Sequence, residues 1–154
     1  MQIFLDTEFT NFIDTDLISI GMVAETVQDF YAEVFYPDDH CSAFVREAVI
    51  PHLNVSPDVL VARPNLKQLI LDWLLVLRPS GDGCIHVCYD YDADWALLED
   101  ALELEIPDWL VGINIGSQCN KPARLEFFKK TGLPQHHALH DARALLYSYI
   151  RKAE

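Results

Sequence analysis

Two acidic side chains near the start of the chain have the spacing of a metal-binding pair. Asp6 and Glu8 flank Thr7 at the end of a short apolar run. Residues i and i+2 of a β-strand point to the same face, so the two carboxylates should lie side by side. Such a pair is repulsive unless a cation lies between its members, and hard oxygen ligands suit Mg²⁺ or Mn²⁺. The alternative is a solvent-exposed strand end with two ordinary acids.

A second group of acids follows a predicted strand in the middle of the chain. Asp90, Asp92 and Asp94 lie between the strand-like run that ends at Tyr89 and a helix that begins near Asp94. Acids at a helix N-terminus often only cap the helix or interact with its dipole. We predict that one of the three caps the helix and that Asp94 is a metal ligand. Asp90 and Asp92 remain alternative ligands.

A histidine cluster precedes the last predicted helix. His136 lies in the loop after Pro134, and Asp141 lies five residues later in the first turns of the helix. Histidine titrates near neutral pH, so an imidazole beside a fixed carboxylate can take a proton from an attacking water. His137 and His140 leave the choice of base open, and a plain surface cluster of three histidines is the alternative.

The order of apolar patterns predicts the elements that position these residues. Three β-favouring runs separated by polar turns come first, and a fourth run follows a helix, which favours an antiparallel trio with a further strand parallel to the first. We predict an α/β fold, a ribonuclease-H-like mixed sheet flanked by helices, in a single domain spanning residues 1–154. The predicted strands cover residues 2–5, 17–24, 29–36 and 84–89, and the predicted helices cover 41–53, 66–77, 94–104, 122–131 and 138–152.

The composition fits one compact domain. The chain has 154 residues, of which 51% are hydrophobic, enough for one core. No apolar run reaches the ~18 residues of a membrane span. Nothing at the N-terminus resembles a signal peptide, and the four cysteines form no CxxC pair. We therefore expect a cytoplasmic protein with no membrane partner.

The charge is unevenly distributed along the chain. A net charge of −13 opposes binding to phosphate backbones. Residues 121–154, however, hold seven of the 11 Lys and Arg residues and three of the 24 Asp and Glu residues. We expect a basic rim beside an acidic metal site, and the alternative is a set of solvated helix faces. The cations are Lys121, Arg124, Lys129, Lys130, Arg143, Arg151 and Lys152.

The three motifs together resemble those of the DEDDh 3′–5′ exonucleases, the family of oligoribonuclease, ribonuclease T and polymerase proofreading domains. The motifs read Phe4-Leu5-Asp6-Thr7-Glu8-Phe9-Thr10, Asp94-Trp95-Ala96-Leu97-Leu98 and His136-His137-Ala138-Leu139-His140-Asp141-Ala142. The chain is similar in particular to small bacterial 3′–5′ exoribonuclease-like proteins that begin with an FLDTEF strand. It departs from the family pattern where Asn11 replaces a glycine and where no asparagine precedes Asp94.

The resemblance implies an activity and a set of site residues. Asp6, Glu8, Asp94 and Asp141 would hold two divalent ions, Mg²⁺ or Mn²⁺, and the family's H-x(4)-D spacing selects His136 as the base. The implied reaction is hydrolysis of the 3′-terminal phosphodiester of single-stranded RNA, with release of nucleoside 5′-monophosphates. The family resemblance also implies a homodimer.

Candidate substrate-binding residues follow the first motif. Phe9 and Thr10 come directly after the metal-binding strand and should lie beside the terminal nucleotide, with Phe9 stacking on its base. Tyr91 and Phe12 are further candidates for stacking, and Arg143 is a candidate cation for the phosphate. The alternative for Phe9 is a place in the core.

Three other interpretations remain open at this stage. The enzyme could act on DNA, because no residue is assigned to reading the 2′-OH. The chain could be an exonuclease-like interaction module without activity. Cys84, His86 and Cys88 alternate along a strand and could bind zinc on one face, although flanking apolar residues favour a buried strand.

Overall fold

The computed structural model describes residues 1–53, 56–81 and 83–150, and residue 150 is described by its backbone alone. Its strands are β1 (Gln2–Phe9), β2 (Leu17–Ala24), β3 (Asp29–Glu33), β4 (Ile85–Tyr89) and β5 (Leu110–Asn114). Its helices are α1 (Ala43–Ala48), α2 (Arg63–Leu77), α3 (Asp92–Ala101), α4 (Lys121–Thr131) and α5 (Ala138–Ile150). None of the helices in these ranges combines the length and apolar character that a membrane span needs.

The strands form one mixed sheet in the order β3-β2-β1-β4-β5. β1 and β3 both pair antiparallel with β2, whereas β4 is parallel to β1 and β5 is parallel to β4. The prediction of an α/β fold with three antiparallel strands plus parallel strands, flanked by helices, is confirmed. The arrangement is compatible with a ribonuclease-H-like fold.

Alternation along the central strand β1 separates two apolar layers. Ile3 and Leu5 are buried in one layer together with α2 and α3, whereas Phe4 is buried in the other layer beside Ala142 and Leu145 of α5. Asp6 and Glu8 share the parity of Phe4 and therefore project toward the α5 side. Because side chains alternate between the two faces of β1, both acids lie on the side of the sheet that contains Asp141.

The N-terminus of α5 lies directly on the sheet because β2 has a glycine there. Gly21 pairs with Asp6 across the β1–β2 ladder. A Cβ atom on Gly21 would lie 2.3 Å from both the carbonyl carbon of Ala138 and the amide nitrogen of Leu139. No side chain fits in that gap, so glycine is required for α5 to approach the strand this closely.

The sequence patterns do not predict the fifth strand, β5. β5 is only five residues long and contains Gly112, which weakens its strand signal. That glycine has a packing role, because a Cβ atom there would lie 2.7 Å from the ring of Trp95. The strand therefore owes its position to tertiary packing against α3 as well as to its own composition.

Several predicted boundaries also differ from the observed ones. β1 continues to Phe9, so Asp6 and Glu8 lie within the strand, and β3 ends at Glu33. The predicted helix 41–53 is divided into α1 and a 3₁₀ turn at Ile50–His52, because Pro51 cannot continue an α-helix. Residues 151–152, at the predicted end of the last helix, lie outside the described residues, and so do Arg151 and Lys152 of the predicted basic tail.

Candidate active site

The four predicted metal ligands and the predicted base line one open cavity of about 430 Å³. Asp6 and Glu8 come from β1, Asp94 from α3 and Asp141 from α5. His136 lies in the loop that leads into α5. Three separate stretches of sequence therefore converge, as the motif reading predicted.

The carboxylates of the cavity fall into two groups of three. Asp6, Glu8 and Asp141 each offer an oxygen within 4.8 Å of the other two, and Asp6, Asp90 and Asp94 do the same. Asp6 belongs to both groups. Every donor is a carboxylate oxygen, which is the ligand type that Mg²⁺ and Mn²⁺ prefer. The donor set thus fits a pair of hard divalent cations that share one ligand.

Asp94 is held in place by the strand beside it. Thr7 donates two hydrogen bonds to Oδ1 of Asp94, from its backbone amide at 3.0 Å and from its hydroxyl at 2.7 Å. Both residues are buried. Thr7 therefore fixes the position of Oδ1 of Asp94. The orientation of the whole carboxylate, including Oδ2, follows from that contact. Sequence reasoning gave this threonine no role, although its place inside the D-x-E motif marked it.

Of the three acids before α3, two reach the cavity. Asp94 is buried and Asp90 lies on the wall, so the choice of Asp94 agrees with its position and Asp90 is a further potential ligand. Asp92 is exposed, and its Oδ1 accepts a hydrogen bond of 2.6 Å from the amide of Asn114 at the end of β5. Asp92 links α3 to β5 and belongs neither to the cavity lining nor to the two carboxylate groups.

Asp141 is held from two sides. Its Oδ2 accepts a hydrogen bond of 3.2 Å from the backbone amide of His137, which stabilises the start of α5. Its Oδ1 accepts a hydrogen bond of 3.2 Å from Nη2 of Arg124. The carboxylate thereby serves as both a helix-terminal acceptor and a wall of the cavity.

Arg124 of α4 is a cation inside the acidic cluster. Its Nη1 lies 2.5 Å from Oδ2 of Asp90, and its Nη2 lies 3.2 Å from Oδ1 of Asp141 and 3.6 Å from Oδ1 of Asp6. The sequence predicts Arg124 only as one of the seven cations of a basic rim beside the acidic site. Its partners lie between 17 and 118 positions away along the chain, so no local spacing marks it. Its position agrees with a cation beside the acidic site.

The acids of the cluster resist ionisation. Burial raises the pKa of Glu8 to about 8 and that of Asp94 to about 7. Burial also raises the pKa of Asp6 well above its usual value, and the neighbouring Asp94 and Asp141 raise it further. Arg124 opposes these shifts in all three acids but does not cancel them. The cluster therefore brings together more carboxylates than Arg124 alone can keep ionised, and a bound divalent cation would favour their charged forms.

His136 is the histidine of the cluster that lines this cavity. Its backbone has a φ of +61°, a strained conformation for a residue with a Cβ atom, and its ring packs edge-on against Phe44 with 4.9 Å between ring centroids. His137 is buried, and its ring stacks between those of Tyr31 and His140. Burial lowers the pKa of His137 to about 4. The geometry thus favours His136 over its two neighbours.

The predicted substrate-binding residues divide into two pairs. Phe9 and Tyr91 line the cavity, and exposed Phe12 packs edge-on against both of them. Thr10 does not reach the cavity surface. It is completely buried, and its hydroxyl donates to the carbonyl of Asp14 and accepts from the amide of Asp16. Thr10 therefore stabilises the loop after β1.

Arg143 also lies away from the cavity lining. It projects from α5 and forms an ion pair with Asp29 at the start of β3. No local sequence pattern indicates this partner, because the two residues are 114 positions apart. The structure thus assigns Arg143 a contact between α5 and the sheet edge.

The zinc alternative is not supported by the described residues. Cys88 is buried in the layer with Phe4, and burial raises the pKa of its thiol to about 11. Within the described ranges, the clusters of three ligating atoms that could hold a metal consist of carboxylates, and Cys84, His86 and Cys88 form none. Cys88 is a small apolar core residue.

Without divalent cations, the protein should lose stability as pH rises. Glu8 has a pKa of 4.5 when unfolded and about 8 when folded, and Asp94 has 3.8 and about 7. The folded state keeps protons that the unfolded state releases. The stability that these protonated acids contribute is complete below their pKa values in the unfolded state, and it is lost as the pH rises through their pKa values in the folded state. In EDTA, the melting temperature should therefore decrease as the pH is raised from about 5 to about 8.5.

The variant Glu8→Gln is the control for this pH dependence. Because glutamine cannot ionise, the melting temperature of this variant should decrease less steeply with pH. A melting temperature that stays constant or rises over the same range would contradict the burial of these acids.

No family model and no curated protein matches the chain significantly.

Proposed function

We propose that this protein is a divalent-metal-dependent 3′–5′ exonuclease that acts on the ends of short single-stranded RNA. One observation carries the proposal: Asp6, Glu8, Asp94 and Asp141 meet around a single open cavity with His136 at the same wall. The motif spacing described above supports the same conclusion independently. An RNA substrate and a homodimer are supported by the sequence resemblance.

The two carboxylate groups define which residues would hold the cations. Asp6, Glu8 and Asp141 would hold one, and Asp6, Asp94 and the nearby Asp90 would surround the other. Bound divalent cations at such a site lower the pKa of a water molecule and stabilise the charge that develops on the phosphate. Thr7 contributes by orienting Asp94, and the His137 amide contributes by orienting Asp141.

His136 has the position of the general base. The attacking water gives its proton to the imidazole as its oxygen bonds to the terminal phosphorus, and the bond from phosphorus to the preceding 3′-oxygen breaks. The leaving 3′-oxygen takes up a proton, and the product is a nucleoside 5′-monophosphate. His136 lines the cavity, whereas the rings of His137 and His140 stack on each other outside its lining.

An aromatic wall beside the acids supports the binding of an unpaired terminal nucleotide. Phe9 and Tyr91 line the cavity, and exposed Phe12 lies between them with centroid distances of 5.3 and 6.0 Å. Stacking of a base on an aromatic side chain contributes about 1–3 kcal/mol and tolerates any base. The wall therefore fits a sequence-independent exonuclease.

The test is a digestion of matched RNA and DNA oligonucleotides carrying a 3′-terminal label. We expect labelled 5′-mononucleotides to appear with Mn²⁺ or Mg²⁺, to be absent in EDTA, and to appear faster from RNA. Equal or faster digestion of DNA would replace the RNA assignment with a DNA-directed exonuclease. Binding of Mn²⁺ without any mononucleotide release would favour the non-catalytic interaction module.

A further inference from the structure

The guanidinium of Arg124 contacts both carboxylate groups at once. It touches Asp90 from one group, Asp141 from the other, and Asp6, which belongs to both. The contact with Asp90 is the shortest at 2.5 Å, and those with Asp141 and Asp6 are 3.2 and 3.6 Å. The side chain is only 23% exposed, so its charge is weakly screened by solvent.

Arg124 and a divalent cation would compete for the same oxygen atoms. Oδ2 of Asp141 already accepts from the amide of His137, which leaves Oδ1 as the oxygen directed at the cluster. That oxygen accepts from Arg124. A doubly charged ion bound there would repel the guanidinium and would take over the neutralisation of both Asp6 and Asp141.

Asp90 provides a point about which the displaced side chain can turn. Its Oδ2 forms the shortest contact with Arg124 through Nη1, whereas Nη2 makes the longer contacts with Asp141 and Asp6. Loss of the two longer contacts leaves Nη2 directed at the cavity while Nη1 stays with Asp90. Nη2 then has N–H donors for a phosphate oxygen, and the permanent charge of the guanidinium favours an anion there.

We infer that Arg124 is a resident counter-cation that divalent ions displace from Asp6 and Asp141, and that the displaced guanidinium, still held by Asp90, binds the phosphate of the substrate. The charges agree with this exchange, because two divalent ions and Arg124 together balance the five carboxylates of Asp6, Glu8, Asp90, Asp94 and Asp141. The first half concerns cation binding alone, and the second half rests on the proposed function.

The cation half is tested by calorimetric titration of Mn²⁺ into metal-free protein without nucleic acid. Arg124→Gln removes the competing charge and should bind Mn²⁺ about 10-fold more tightly than the original protein. Arg124→Lys keeps a cation but loses the fork, and it should lie between the two. Arg63→Gln, which removes an exposed arginine paired with Asp100, is the matched control and should bind Mn²⁺ as the original protein does.

The phosphate half is tested by the fluorescence anisotropy of a labelled RNA oligonucleotide, with Ca²⁺ in place of Mn²⁺ so that no turnover is needed. Arg124→Gln should bind the RNA about 10-fold more weakly, although it binds the metal more tightly. A residue with a structural role alone would not move the two affinities in opposite directions. Arg124→Lys provides the same comparison if the glutamine variant fails to fold.

The outcomes separate this inference from the proposed function. Equal or weaker Mn²⁺ binding by both Arg124 variants would overturn the displacement, whatever the nuclease assay shows. Tighter Mn²⁺ binding with unchanged RNA affinity would overturn the phosphate contact. An original protein that binds Mn²⁺ and RNA but releases no mononucleotide would refute the exonuclease proposal while leaving both measurements on Arg124 valid.

Discussion

Replacing Asp6 by asparagine should abolish nuclease activity without unfolding the protein. Asp6 belongs to both carboxylate groups, so the substitution removes a ligand from each potential cation at once. We expect a loss of roughly 10³-fold or more in the rate of mononucleotide release at saturating Mn²⁺. The measurement is a single-turnover digestion of a 3′-labelled RNA oligonucleotide.

The Asp6→Asn variant should keep or gain thermal stability although it loses activity. Burial and the neighbouring acids raise the pKa of Asp6 well above its usual value, so ionisation of this residue destabilises the metal-free fold. The neutral asparagine has the same size and removes that repulsion. In EDTA at neutral pH, the variant should therefore melt at the same temperature as the original protein or at a higher one.

Asp108→Asn is the matched control for this substitution. Asp108 is exposed and lies outside the cavity lining, so the same chemical change there should leave the rate intact. Undiminished activity in Asp6→Asn would remove the basis of the two-cation proposal. A large fall in its melting temperature in EDTA would contradict the electrostatic environment described for Asp6.

Replacing Gly21 by alanine should cost both stability and activity. The added Cβ atom would lie 2.3 Å from backbone atoms of Ala138 and Leu139, and backbone atoms cannot rotate away as a side-chain tip can. The start of α5 must move, at a cost of about 3 kcal/mol in the free energy of unfolding, which is the upper end of the usual overpacking range. Asp141 and His136 would move with the helix, and misplacement of about 1 Å can reduce turnover by about 10²-fold.

Urea denaturation and the single-turnover rate measure the two effects separately. Gly132→Ala is an informative control, since Gly132 has a φ of +70° but an added Cβ there would have no atom within 4 Å other than those of its own and the adjacent residues. It should lose about 1–2 kcal/mol through backbone strain alone and keep its activity. Equal losses of activity in both glycine variants would show that the contact between β2 and α5 does not position the site.

The features that the sequence predicted well depend on residues that are close together along the chain. The pairing of Asp6 with Glu8 follows from strand alternation, and the approach of His136 to Asp141 follows from a loop entering a helix. The apolar runs likewise predicted four of the five strands and the mixed sheet. In each case the relevant neighbours are close along the chain, so a local pattern contains the information.

The features that the sequence did not predict depend on packing between distant segments. Arg124 enters the cluster only because α4 packs beside α5. Arg143 of α5 pairs with Asp29 of the edge strand β3. Thr10 is buried and forms hydrogen bonds within its own loop, and no residue spacing in the sequence predicts these bonds. β5 depends on the contact of Gly112 with Trp95. Each of these outcomes is decided by tertiary geometry.

The alternation of β1 also restricts how this segment can evolve. Asp6 and Glu8 face α5, while Thr7, between them, reaches Asp94 from the opposite side of the chain. A single inserted or deleted residue before Asp6 would exchange these two faces and turn both carboxylates toward the apolar layer under α2. Divergence within β1 should therefore proceed by replacement of one residue with another, and length variation should be confined to the loops.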